Sequence, residues 1–234
     1  MKILAIECSA TPASCAVFEG EKLIASSFAN VKLTHSETLM PMVESTLKNA
    51  KLGINDIDAL AVSSGPGSFT GIRIGISAVK GLAIKDKKPC CAVSTLLSMA
   101  YRLKHLNGIV CAVMDARCNQ VYNALFKCEN GEITRLTEDR ALMMNELVEE
   151  LENHKESAVY VIGDGADLFF EKAKNLENVF KVCETLKYQH AEGVALAAAA
   201  MIKENNTVSP ETLLPFYLRL PQAERELKEK RGQK

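Results

Sequence analysis

The stretch Gly65-Pro66-Gly67-Ser68-Phe69-Thr70-Gly71-Ile72-Arg73-Ile74-Gly75 follows the apolar run Ile57–Ser63 and precedes an apolar segment reaching Ile84. A buried strand, a tight glycine turn and a helix opening at once predict a strand–turn–helix unit. Two uses of the turn stay open. Backbone N–H groups gathered at a helix N-terminus favour a phosphate or carboxylate. Alternatively, Gly71, Gly75 and Ala78 at i, i+4 and i+7 leave a bare helical face on which another helix can approach closely. Close packing is the preferred use. The segment is not a Walker A loop, because no Gly-Lys-Ser/Thr follows.

Working outward, Ile3–Ile6, Ser14–Glu19 and Lys22–Phe28 read as strands, with a hairpin turn at Gly20-Glu21. A helix from about Thr34 to Ala50 follows, with Thr34-His35-Ser36-Glu37 fitting a capping box and Pro41 sitting awkwardly close to its start. The second half repeats the order. Ile109–Met114, Gln120–Lys127 and Glu132–Leu136 are strands, turned at Asn130-Gly131. A helix at Asn145–Glu152, a strand at Ala158–Ile162, the turn Gly163-Asp164-Gly165 and a helix from Ala166 complete it. The predicted class is α/β, two βββαβα lobes with mixed sheets. This duplication resembles the fold of actin, sugar kinases and Hsp70. Residues 1–106 are expected to form one lobe and 107–212 the other, with the segment 213–234 expected to pack back on the first.

Lys plus Arg come to 28 and Asp plus Glu to 29 in 234 residues, with 47% hydrophobic residues. Such values exclude a disordered tail and a disulfide scaffold, and the lack of basic excess argues against a freestanding nucleic-acid binder. The apolar start Ile3–Ile6 is too short for a signal peptide, and the run Val194–Ile202 falls below the roughly 20 residues that span a bilayer. A cytoplasmic protein without membrane contact is expected. The eight cysteines contain no C-x-x-C pair, so they read as reduced core thiols.

The string GPGSFTGIRIG resembles the signature of the TsaB (YeaZ) family. Further pieces agree in order: MKILAIECS at Met1, HSETLMP at His35, MDARCNQVY at Met114, GDGA at Gly163 and PFYLRLPQA at Pro215. The resemblance implies a non-catalytic partner of the TsaD-type transferase in making threonylcarbamoyladenosine in tRNA. It also implies a TsaE-type ATPase as third member, homodimer formation through the same helices, and tRNA met only through the complex. Gly65, Pro66, Gly67, Ser68, Phe69, Thr70, Gly71 and Arg73 are the motif residues. Glu7-Cys8-Ser9 departs from the usual Asp-Thr-Ser of the family.

TsaD-like relatives hold a metal with two histidines four apart, after the strand that follows the second helix. Ala92–Met99 occupies that place here without a histidine, and His35, His105, His154 and His190 are scattered. No bound metal and no nucleotide cofactor are expected. Glu7, Asp115, Arg117, Gly163 and Asp164 are candidates for a vestigial inter-lobe cleft, with Asp115-Ala116-Arg117 preferred as a turn held by a charge pair. The partner face is predicted at Leu39, Met42, Val43, Ile72, Gly75, Ile76 and Val79, so that Gly75→Leu would separate partners and leave the monomer folded. Arg219, Arg225, Lys228 and Lys230 could meet tRNA, although interleaved Glu224, Glu226 and Glu229 favour a solvated helix. Two rival activities are an ATP-binding phosphotransferase and a metallopeptidase, the latter disfavoured by the missing histidine pair.

Overall fold

The computed structural model describes residues 1–173 and 176–219. The expectations for Glu224, Arg225, Glu226, Lys228, Glu229 and Lys230 lie outside them.

Alternation of side chains builds the first sheet. In β1 (Lys2–Glu7), Leu4 and Ile6 point to one face and Ile3 and Ala5 to the other, all fully buried, so this strand is covered on both sides. It pairs antiparallel with β2 (Ala13–Glu19), which pairs with β3 (Lys22–Ala29) through a turn with Gly20 at φ +63. On its other edge β1 runs parallel to β4 (Ala59–Gly65), and β4 to β5 (Cys90–Ser94). The order is β3-β2-β1-β4-β5.

The second sheet contains β6 (Gly108–Asp115), β7 (Gln120–Glu129), β8 (Glu132–Arg135), β9 (Arg140–Met143), β10 (Val159–Ile162) and β11 (Val179–Lys181). Its order, β8-β7-β6-β10-β11, repeats that of the first sheet. Asn130 and Gly131, both at positive φ, make the hairpin turn. One correction concerns its third strand, which is broken in two. β8 pairs the Phe126–Glu129 end of β7 and β9 pairs the Gln120–Asn123 end. The duplicated α/β fold of the actin, sugar-kinase and Hsp70 class is therefore present, with a split strand in the second copy.

Helices α1 (His35–Asn49) and α2 (Phe69–Ala83) cover the Leu4/Ile6 face, burying Leu39, Val43, Ile72, Ile76 and Val79. The capping box expected at Thr34 does not form: its side chain makes no cap bond, and Pro41 is carried inside the helix. Helix α3 (Thr95–Tyr101) starts at Ser94, whose Oγ accepts from Leu97 N. In the second half α4 (Met144–Leu151) and α5 (Ala166–Lys172) cover one face of the sheet through Leu147, Leu151 and Phe169. The short α6 (Glu184–Lys187) and the alanine-rich α7 (Ala191–Lys203) follow. No helix among the described residues is long and apolar enough to cross a membrane.

The lobe boundaries need correcting. Val194, Ala195 and Ala198 of α7 pack on Ile3, Ala5, Phe18 and Val93 of the first sheet, although α7 was expected within 107–212. Conversely Leu96, Met99 and Leu103, from α3 and the turn after it, pack on Val110, Ala112 and Phe126 of the second sheet. The two helices cross closely. A β-carbon on Gly193 of α7 would lie 2.0 Å from the Ser98 carbonyl oxygen of α3, so only glycine fits. Small side chains along α7 permit this approach, and their buried apolar face explains why a helix so late in the chain completes the first lobe.

Residues 213–219 then run back over the first lobe. Leu213 is buried in its core and Phe216 N donates to Ser64 O at 2.7 Å.

Candidate functional site: a polar cleft and an apolar groove

Two hollows flank the N-terminus of α2. One is a polar cleft of about 620 Å³ between the lobes, lined by Ser9, Gly67, Ser68, Asp115, Arg117, Tyr122, Asp164 and the segment Phe216–Arg219, among others. The other is an apolar groove of about 610 Å³ between α1 and α2, and Phe69 and Thr70 form part of both walls.

The turn residues are committed to packing. Ser68 N donates to Ser9 O at 2.6 Å, and Ser68 Oγ caps α2 by accepting from Gly71 N at 3.3 Å. Gly67, at φ +155, has Ser9 O 2.4 Å from its would-be β-carbon, and Gly71 has Cys8 O at 2.0 Å. The glycines thus seat α2 on the Cys8-Ser9 backbone, where any larger residue would strike a carbonyl. Pro66 is buried behind them. Gly71 and Gly75 of the bare face meet Cys8 after the end of β1, with His35 of α1 also close to Gly71, while Ala78, its third residue, lines the groove.

Glu7 lies behind Ser9 with no exposed surface. Its carboxylate accepts from Ser9 N at 2.6 Å and from Ser63 Oγ. Burial pushes it above the usual carboxylate range, against the opposing pull of these bonds. Asp164 is also raised by desolvation, and its Oδ1 accepts from Gln189 Nε2 at 2.8 Å. Gly163, at φ +120, is backed against Val113 O and does not reach the cleft. Asp115 is exposed. The charge pair expected between Asp115 and Arg117 is replaced by a bond from Arg117 N to Asp115 Oδ1 at 2.7 Å, with Arg117, Cys118 and Asn119 all left-handed. Thus Asp115, Arg117 and Asp164 share the cleft, while Glu7 is walled off from it. Among the described residues no group of three or more His, Cys, Asp or Glu converges as a metal site.

The outward placement of most predicted partner residues is corrected. Leu39, Val43, Ile72, Ile76 and Val79 point into their own core, Met42 packs against it, and Gly75 faces Cys8. The residues that line the groove sit one helical step away: Met40 and Ser36 on α1, and Phe69, Arg73, Ile74, Ser77 and Ala78 on α2, with the inner Leu39 forming the floor. Gly81 continues this row one turn on, with open space where its β-carbon would be. Met40 is 44% exposed, a large apolar side chain left in water. At the groove's rim His35 bonds through Nε2 to Ala10 O at 2.8 Å, while its buried Nδ1 has no partner. The sequence signal for the outer row was the run Ile74, Ser77, Ala78, Gly81, spaced at i, i+3, i+4 and i+7. It was masked because α2 is apolar on its inner face as well.

Comparison with known proteins gives one agreeing picture. The family model described as TsaD, tRNA N6-adenosine threonylcarbamoyltransferase, matches residues 24–227. The tRNA threonylcarbamoyladenosine biosynthesis protein TsaB of Bacillus subtilis is 31% identical over 224 residues, covering 96% of each chain. The protein of the same name from Escherichia coli is 34% identical over 221 residues, covering 94% of this chain and 95% of its own. Among solved structures, YeaZ from Pseudomonas aeruginosa superposes with a TM-score of 0.77 at 25% identity, over 93% of this chain and 99% of the other.

Proposed function

The chain belongs to the TsaB (YeaZ) family, and from that premise we propose that it is a non-catalytic subunit in the formation of tRNA threonylcarbamoyladenosine. It binds and stabilises a TsaD-type transferase through the groove between α1 and α2. The joint surface so formed offers the TsaE-type ATPase its docking place, and tRNA is met through the assembly. A second copy of the chain uses the same groove when the transferase is absent.

The groove itself carries this reading. It exposes Met40 and leaves Phe69 and Ile74 half-buried beside the small residues Ser77, Ala78 and Gly81. Such a row lets the backbones of two helix pairs approach and fill the hollow with side chains. Removing one large apolar side chain from water contributes roughly 1.5–3 kcal/mol before association costs, so a few anchors suffice. The absence of catalysis is supported by the buried, twice-bonded Glu7, which is walled off from the cleft where the fold class places a metal and phosphate. The phosphotransferase reading loses support at the same residue, and the metallopeptidase reading at Ala92–Met99, where the histidine pair is missing.

Reconstitution tests the proposal. The isolated chain is expected to leave tRNA unmodified, and the transferase to form threonylcarbamoyladenosine efficiently only when the chain is added. Full transferase activity without it, or turnover by the chain alone, would overturn the reading.

A further inference from the structure

Groove and cleft are joined by one small cluster. Arg73 holds its guanidinium 4.1 Å above the Phe69 ring, and the Tyr217 ring stacks on Phe69 with centroids 4.1 Å apart. Arg73 Nε donates to the Tyr217 hydroxyl at 2.9 Å. Tyr217 belongs to the segment 213–219, which closes one side of the cleft as a strap. Leu213 anchors it in the first core, Phe216 N bonds to Ser64 O, and Arg219 Nη1 reaches the second lobe at Ala116 O, 2.7 Å away. Arg73 therefore stands with one side on the groove and the other on the strap.

We propose that a docking helix competes with the strap for Arg73, so that partner binding in the groove loosens residues 216–219 and opens the cleft. The proposal rests on the groove being the transferase site. Among the described residues Arg73 has no carboxylate partner. A guanidinium with no carboxylate partner among the described residues, at the rim of an apolar groove, fits a helix that presents an Asp or Glu beside its apolar anchors. A charge-assisted, bidentate bond to that carboxylate is stronger than the present bond to a neutral phenol, so the docked partner prevails. The strap then loses its Arg73 hold and keeps the Phe69 stack, the Ser64 bond and the Arg219 bond. Linkage runs both ways: weakening the strap frees Arg73 and tightens docking.

Hydrogen exchange at the Phe216 amide reports on the strap directly. In the isolated full chain, Arg73→Ala should speed that exchange about tenfold without changing the amides of β1 and β4. Unchanged exchange overturns the proposal. Tyr217→Phe, which keeps the stack and removes the hydroxyl, should bind the transferase a fewfold more tightly; weaker or equal binding counts against it. With the transferase bound, the Phe216 amide should exchange faster than in the free chain, and equal or slower exchange defeats the linkage alone. Failure of the wild-type chain to bind the transferase defeats the docking reading and the linkage together.

Discussion

Gly75 of α2 rests directly on Cys8: a β-carbon there would stand 2.7 Å from Cys8 Sγ and 3.1 Å from Val62 Cγ2. The groove lined by Arg73, Ile74, Ser77 and Ala78 is on the other side of the helix. Gly75→Leu is therefore a core variant. Overpacking a filled interior costs about 1–3 kcal/mol or more. Urea unfolding should show at least that loss, and a Gly75→Leu chain that melts like the parent would contradict the seating of α2.

Ser77→Arg should behave in the opposite way. Ser77 is exposed and lines the groove, so the substitution should leave stability within about 0.5 kcal/mol of the parent. A long charged side chain in the path of a docking helix should weaken association with the transferase more than tenfold. Sedimentation of the mixed proteins, together with a thermal melt of each chain, reads both effects.

Glu7 sets a pH dependence whose sign is fixed by its burial. Its carboxyl is raised in the folded chain above the ordinary value of 4.5. The stability it confers is complete below that value and is lost as pH climbs through the folded pKa. Glu7→Gln removes the ionisation, so the melting-temperature difference, variant minus parent, should grow from pH 4 to pH 8. A displacement of one pH unit corresponds to about 1.4 kcal/mol, and each 1 kcal/mol moves Tm by about 2–4 °C in a chain of this size. A difference that stays flat over this range would contradict the buried, proton-retaining carboxyl.

Calorimetry with ATP and Mg²⁺ on the isolated chain should give no saturable heat up to about 1 mM, an affinity of about −4 kcal/mol. Glu7 is fully buried and held by Ser9 and Ser63, so of the two acids that end the first strand of each lobe only Asp115 lines the cleft. Binding in the micromolar range would restore the phosphotransferase reading.

Much of the fold was legible because its signals are local. Strand alternation, the Gly20 and Asn130-Gly131 turns, and the glycine turn after β4 each depend on residues within one element or its flanks. Helix rotation was not local. Ile72, Ile74, Ile76, Val79 and Ala78 wrap around α2, so periodicity alone could not say that Ile76 faces the sheet while Ile74 faces the groove. The placement of α7 was hidden for a similar reason, since an alanine-rich helix fits against either sheet. In the cleft, Asp115 and Asp164 stood out as acids after strand ends. The capture of Arg73 by Tyr217 joins residues 144 apart in sequence, and no spacing rule connects them.

The trade of α3 for α7 between the sheets has a consequence for synthesis. While the chain is being synthesised, the Ile3, Ala5, Phe18 and Val93 side of the first sheet has only Leu97 and Tyr101 of α3 to cover it until α7 has emerged. Most of that greasy back therefore stays open while residues 102–190 are still being made. A product truncated before Ala191 would carry that open surface permanently.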